Sequence, residues 1–265
     1  HTFGVLKVFD GLGYMLAPLV GSWFILSFTN DTYTAMLSVS ILLPAYFFYI
    51  LLILYKNKHS FAIGNTEKIS EKVELQIWKR VMKALLPILI LTWIINLMDS
   101  GIWTIGPLFS ESLSGDGFIR GSYFMLAYTI PPLLTGWLVG RGVELYGRKY
   151  MSVGNLIAGS IFVGLISFIH NPYFLLLDIF LASLFFSLSW PTINSLYADY
   201  IIKNEDAHEE SESVEDLFTN LGDVSGPIIA GYLAQYFGNQ NTFMYLGFSF
   251  AVTVSILYLL RFFKI

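Results

Sequence analysis

Eight apolar stretches of membrane-crossing length divide the chain, at residues 8–28, 35–55, 84–105, 121–139, 151–169, 173–196, 217–237 and 243–260. A bilayer core about 30 Å thick takes about 20 residues of helix to cross. In lipid, backbone N–H and C=O groups must pair within the segment, so each stretch is predicted to be a helix. Strands of a transmembrane barrel would be about half as long and would alternate polar with apolar; these stretches do neither. The predicted fold class is an all-α membrane protein with eight transmembrane helices.

Composition agrees. Hydrophobic residues make up 55% and charged residues 13%, against about a quarter charged in a soluble domain, and the mean hydropathy is +0.63. Cysteine is absent, which excludes a disulfide framework and a thiolate site. The four histidines (His1, His59, His170, His208) are scattered, so no metal site is predicted. Neither a cofactor motif nor a basic strip for nucleic acid is present, and no nucleophile–base pair suggests an enzyme.

The polar connections carry an orientation. With the N-terminus placed in the cytoplasm, 14 of the 15 basic residues fall on the inner side and only Arg120 lies outside. Lys/Arg bias in short loops sets topology, so both ends of the chain are predicted to be cytoplasmic, in a plasma-membrane protein. Residues 56–83 form a polar linker with an amphipathic surface helix, its apolar face made by Ile69, Val73, Ile77 and Val81. Residues 199–216 read as an acidic, mobile inner loop.

One segment recurs. GYMLAPLVGS at 13–22 and GDVSGPIIAG at 222–231 share the pattern G-x-x-x-small-Pro-x-x-small-small. Small residues four apart let a neighbouring helix approach closely, and the proline deletes a backbone donor. Two equivalent helices in two halves suggest a repeat-built transporter. Between the fourth and fifth stretches the chain reads GRGVELYGRKY at 140–150. Its glycines permit a tight turn. Reading these letters as a phosphate-binding loop fails, because Arg148 and Lys149 stand at its lysine and hydroxyl positions and no β-strand precedes it.

The segment 140–150 resembles the cytoplasmic loop motif of the major facilitator superfamily, G-x-x-x-D-x-x-G-[RK]-[RK]. Gly140, Glu144, Gly147, Arg148 and Lys149 fill it, with Glu for the usual Asp and Leu145 where Arg is common. The proline segment resembles the helix-five motif of that superfamily's proton-driven exporters. Gly13, Ala17, Pro18 and Gly21 fill the first copy, and Gly222, Gly226, Pro227 and Gly231 the second. The resemblance implies a twelve-helix bundle of which the sequence carries helices five to twelve. Residues 1–55 would then be the last two helices of the first half, 56–83 the linker and 84–265 the six-helix second half. Helices one to four of the same full-length protein would complete the cavity, and the chain alone is expected not to transport.

Candidate site residues are polar groups within the apolar stretches. An ionisable side chain there costs about 2.5–3.5 kcal/mol and marks a functional site by default. Asp99 heads the list, on a stripe with Asn96, Ser100 and Trp103 at helical spacing, as a binder of protons or a cationic substrate. Tyr123, Tyr128 and Trp137, with Trp103 and Trp190, are expected to wall an apolar cavity suited to hydrophobic or cationic compounds. Ser183, Ser187, Trp190 and Asn194 form a stripe on the sixth stretch, with Asp178 pointing away from it as a snorkelling interfacial acid. Asp10 and Asp223 sit in first helical turns, where acids complement the dipole. Pro131 and Pro132 are expected to kink the fourth stretch. Arg120 is paired in expectation with Asp116 or Glu111 as an outer latch, and the Glu144/Arg148 turn with the Asp10 region as an inner one.

The leading functional expectation is a secondary transporter that exports a small organic compound in exchange for protons, with the lipid bilayer, the substrate and protons as partners. An importer of a sugar, peptide or organic anion on the same fold stays open. So does a non-transporting receptor or scaffold that works through the acidic segment.

Overall fold

The computed structural model describes residues 71–113, 122–204 and 207–260, with isolated positions between 44 and 56. Its regular elements are helices α1 (Glu71–Ser112), α2 (Ser122–Thr129), α3 (Pro131–Leu134), α4 (Gly136–Tyr146), α5 (Arg148–Leu165), α6 (Pro172–Lys203), α7 (His208–Phe237) and α8 (Asn239–Leu259). A 3-10 turn, Ile166–Phe168, extends α5. The first two apolar stretches, the first proline segment, and Arg120, Asp116 and Asp10 lie outside the described residues.

Among the described residues, four helices are long and apolar enough to cross a membrane: Leu75–Ser112, Arg148–Phe168, Pro172–Lys203 and Asn239–Leu259. The stretch 121–139 is broken into α2, α3 and α4, a stronger effect than the expected kink. Two adjacent prolines remove two successive backbone donors. The stretch 217–237 is helical within α7 but carries Asn220, Asp223 and Gln235, which lower its apolarity.

α1 runs unbroken for 42 residues, about 63 Å at 1.5 Å per residue. The amphipathic linker helix and the third apolar stretch are therefore one rod over residues 71–112. Of its predicted apolar face, Val81 is fully buried and Ile77 packs on the core, while Ile69 and the Val73 side chain lie outside the described residues. α1 is also the centre of the bundle: Leu89, Leu91, Ile94, Leu97, Met98, Ile102 and Ile105 point in several directions and all are buried, as expected of a helix apolar on every side. It packs most extensively on α7, while α5 is held between α6 and α8. Outward faces keep large apolar side chains exposed, among them Ile228 on α7 and Val252 and Ile256 on α8, a surface suited to lipid or a partner bundle.

The acidic segment is not a mobile loop. α6 continues to Lys203 and α7 starts at His208. Glu209 and Glu210 occupy the first turn of α7, where negative charge is favoured by the helix dipole, and Ser211 and Val214 are buried. Charge density pointed to solvent exposure, but an acidic run with buried residues three or four apart, at Ala207, Ser211 and Val214, is a helix that keeps one face dry.

Candidate functional site

Three helices meet at Tyr128. Its hydroxyl donates to Asp99 Oδ1 of α1 at 2.5 Å, within the range for a hydroxyl on a carboxylate. Its backbone carbonyl accepts from Ser183 Oγ of α6, also at 2.5 Å. Trp103, one turn beyond Asp99, meets the Tyr128 ring edge to face with centroids 6.4 Å apart. The proline pair explains the second bond. In an uninterrupted helix, the amide of residue 132 would donate to the carbonyl of residue 128; Pro132 cannot. In lipid that carbonyl must find another donor, and Ser183 is it.

Asp99 is half-buried and Tyr128 buried. The predicted stripe on α1 divides between two neighbours. Asp99 and Trp103 turn toward α2, whereas Asn96 and Ser100 turn toward α7. Asn96 donates to Thr92 O of its own helix, and Ser100 Oγ donates to Gly222 O across the helix contact at 3.2 Å. Positions 99 and 100 lie about 100° apart around a helix, enough to face two different partners. Tyr123 is exposed, Ser187 is buried with its hydroxyl on Ser183 O and Leu184 O, and Trp190 and Asn194 are half-buried further along α6. Ser187 thus adjoins the Asp99–Tyr128–Ser183 junction through its bond to Ser183 O; Tyr123, Trp190 and Asn194 do not join it.

The second proline segment forms the α1–α7 contact. A Cβ on Gly222 would stand 2.6 Å from Asn96 Cβ and 2.8 Å from Trp93 O, and one on Gly226 would stand 2.5 Å from Leu97 O. Ala230, the third small residue at four-residue spacing, is fully buried. Gly231 has nothing within 4 Å and takes no part in the contact, and Pro227 is half-buried. Trp93 Nε1 to Ser225 Oγ, at 3.2 Å, stitches the same two helices.

At the turn 140–150, Gly147 has φ +78° and joins α4 to α5, a conformation that favours glycine. Arg148 forms an ion pair with Asp199 of α6, and Lys149 stands 5.5 Å from the Tyr258 ring centroid on α8. The basic pair thus ties the start of α5 to two neighbouring helices. Glu144 is exposed, and Gly140 has open space around it. Asp223, on α7, is exposed.

Several bonds were not foreseen. Thr92 Oγ1 and Tyr197 OH meet at 2.9 Å between α1 and α6, and Ser189 Oγ donates to Ser152 O between α6 and α5 at 2.6 Å. Gly247 of α8 lies so close to α5 that a Cβ there would be 2.2 Å from Gly164 N. Buried hydroxyls in apolar runs were the available signal; which helices they would join was not.

The family model described as Major Facilitator Superfamily matches residues 1–208. The chain belongs to the major facilitator superfamily. A Lactococcus lactis protein named as a multi-drug resistance efflux pump PmrA homolog is 29% identical over 144 residues, 53% of this chain and 35% of that protein. The chain thus matches about a third of that relative's length. No solved structure matches.

Proposed function

We propose that the full-length protein is a secondary active transporter that exports a small organic compound in exchange for protons, by alternating access. The observation that carries this reading is the Asp99–Tyr128–Ser183 junction. There, an acid in the middle of an apolar helix is held by one hydroxyl at the place where three helices meet. An acid so placed can trade a proton for a cationic substrate, and the bond from Tyr128 ties either event to the broken helix α2–α4. The pump-named relative favours export over import.

In this reading the first half of the protein, including helices one to four, supplies the facing wall of the cavity. The chain's ends are cytoplasmic and the bilayer is the plasma membrane. Close-packed α1 and α7 move as one rod pair, while the turn at Gly147 and the Arg148–Asp199 pair fasten the inner end. Trp103, Tyr123 and Trp190 offer aromatic surface to a cation.

The test is transport by the full-length protein in proteoliposomes bearing a proton gradient, with ethidium as the reporter cation. Asp99→Asn is expected to abolish gradient-driven accumulation while leaving the protein folded, and Asp99→Glu to retain part of it. Wild-type accumulation by Asp99→Asn would refute the role of Asp99.

A further inference from the structure

A pocket of about 490 Å³ opens where the end of α5 meets the start of α6, away from the Tyr128 junction. Phe162, Phe168, Phe174 and Leu177 line it, together with exposed His170 and with Asp178. Asp178 is not the snorkelling acid its position suggested: it is 5% exposed, and its Oδ2 has no hydrogen-bond partner. It lies one turn before Ala182, whose carbonyl faces Gly159 of α5, so it belongs to the side of α6 that meets α5.

No lysine or arginine lines the pocket, and among the described residues no ion pair joins His170 to Asp178. An unpaired acid within a membrane helix is costly and marks a functional site by default. The C-terminal end of α5 and the N-terminal end of α6 both border the pocket, so their opposite partial charges offset. One further feature makes the pocket favourable to positive charge. Phenylalanine rings present their negative faces to a cation. The volume lies within the roughly 300–1,000 Å³ of small-molecule sites.

We propose that this pocket is a second ligand site, separate from the Asp99 junction, for a monovalent organic cation with an apolar body. The cationic centre pairs with the Asp178 carboxylate and the apolar body lies against the phenylalanines. A zwitterionic lipid headgroup fits less well, because its phosphate would find no lysine or arginine on the lining, only the exposed His170.

Equilibrium binding of radiolabelled tetraphenylphosphonium to the full-length protein in detergent micelles tests the assignment without requiring transport. Asp178→Asn is expected to weaken one binding component about tenfold or more, equivalent to about 1.4 kcal/mol, while Asp99→Asn leaves that component intact. Phe174 is 64% exposed, so Phe174→Ala should fold normally and weaken the same component several-fold. On the unaltered protein, tetraphenylphosphonium should also slow carbodiimide labelling of Asp178. Unchanged binding in both pocket variants, or labelling insensitive to the cation, overturns the proposal. Retention of phosphatidylethanolamine that is lost in Asp178→Asn, with cation binding unaltered, overturns it in favour of a lipid.

Discussion

Pro132 has no amide hydrogen, so the carbonyl of Tyr128 loses its helical donor and takes one from Ser183 instead. Removing that hydroxyl leaves a buried carbonyl unsatisfied, which costs about 1–3 kcal/mol. Ser183→Ala is therefore expected to lower the melting temperature of the purified protein, and Pro132→Ala, by restoring a donor, should recover part of the loss in the double variant. Equal melting of Ser183→Ala and wild type would show that the bond contributes nothing. Tyr128→Phe is a different case. It keeps the backbone bond and frees Asp99, so transport should suffer more than stability. Asp99 was legible in the sequence because an acid in an apolar run stands out. Its hydroxyl partner was legible only as an aromatic, since the bond depends on how α2 is broken and registered against α1. Asp178 was misjudged because distance from the helix end suggested reach to water, whereas the end of α5 covers it.

The contact between α1 and α7 depends on the absence of side chains at two positions. Gly226→Ala would place a methyl group 2.5 Å from Leu97 O, and overpacking of this kind costs about 1–3 kcal/mol. Gly231→Ala, with open space around it, should change stability by less than about 0.5 kcal/mol. Comparing the two variants by thermal denaturation separates a packing motif from a mere run of small residues; equal effects would contradict the geometry. The proline segment made this contact readable in advance. The equally tight approach of Gly247 to Gly164 was not readable, because a lone glycine carries no spacing pattern to set against its neighbours. The acidic segment failed for another reason: charge reports which face is wet, not whether the backbone is helical.

Across the whole molecule, the fold class and family were legible because hydrophobic length and the loop motif report directly on lipid and on the tight turn at Gly147. Helix pairing was not, since apolar faces in a bundle look alike along the chain. The Arg148–Asp199 pair ties α5 to α6, with side chains 40% and 43% exposed, so a double-mutant cycle on stability should return only about 0–1 kcal/mol. If the pair fastens the inner end during alternating access, Arg148→Ala should instead shift the balance of inner and outer accessibility to a membrane-impermeant thiol reagent, read at cysteines engineered into these 265 residues, which hold none of their own. The account as a whole rests on proton exchange at the Asp99–Tyr128 junction. Its most direct test is the release of protons when ethidium is added to full-length protein in detergent at fixed pH, recorded with a soluble pH indicator. The account predicts proton release by the wild type and none by Asp99→Asn; the same release from both proteins would contradict it.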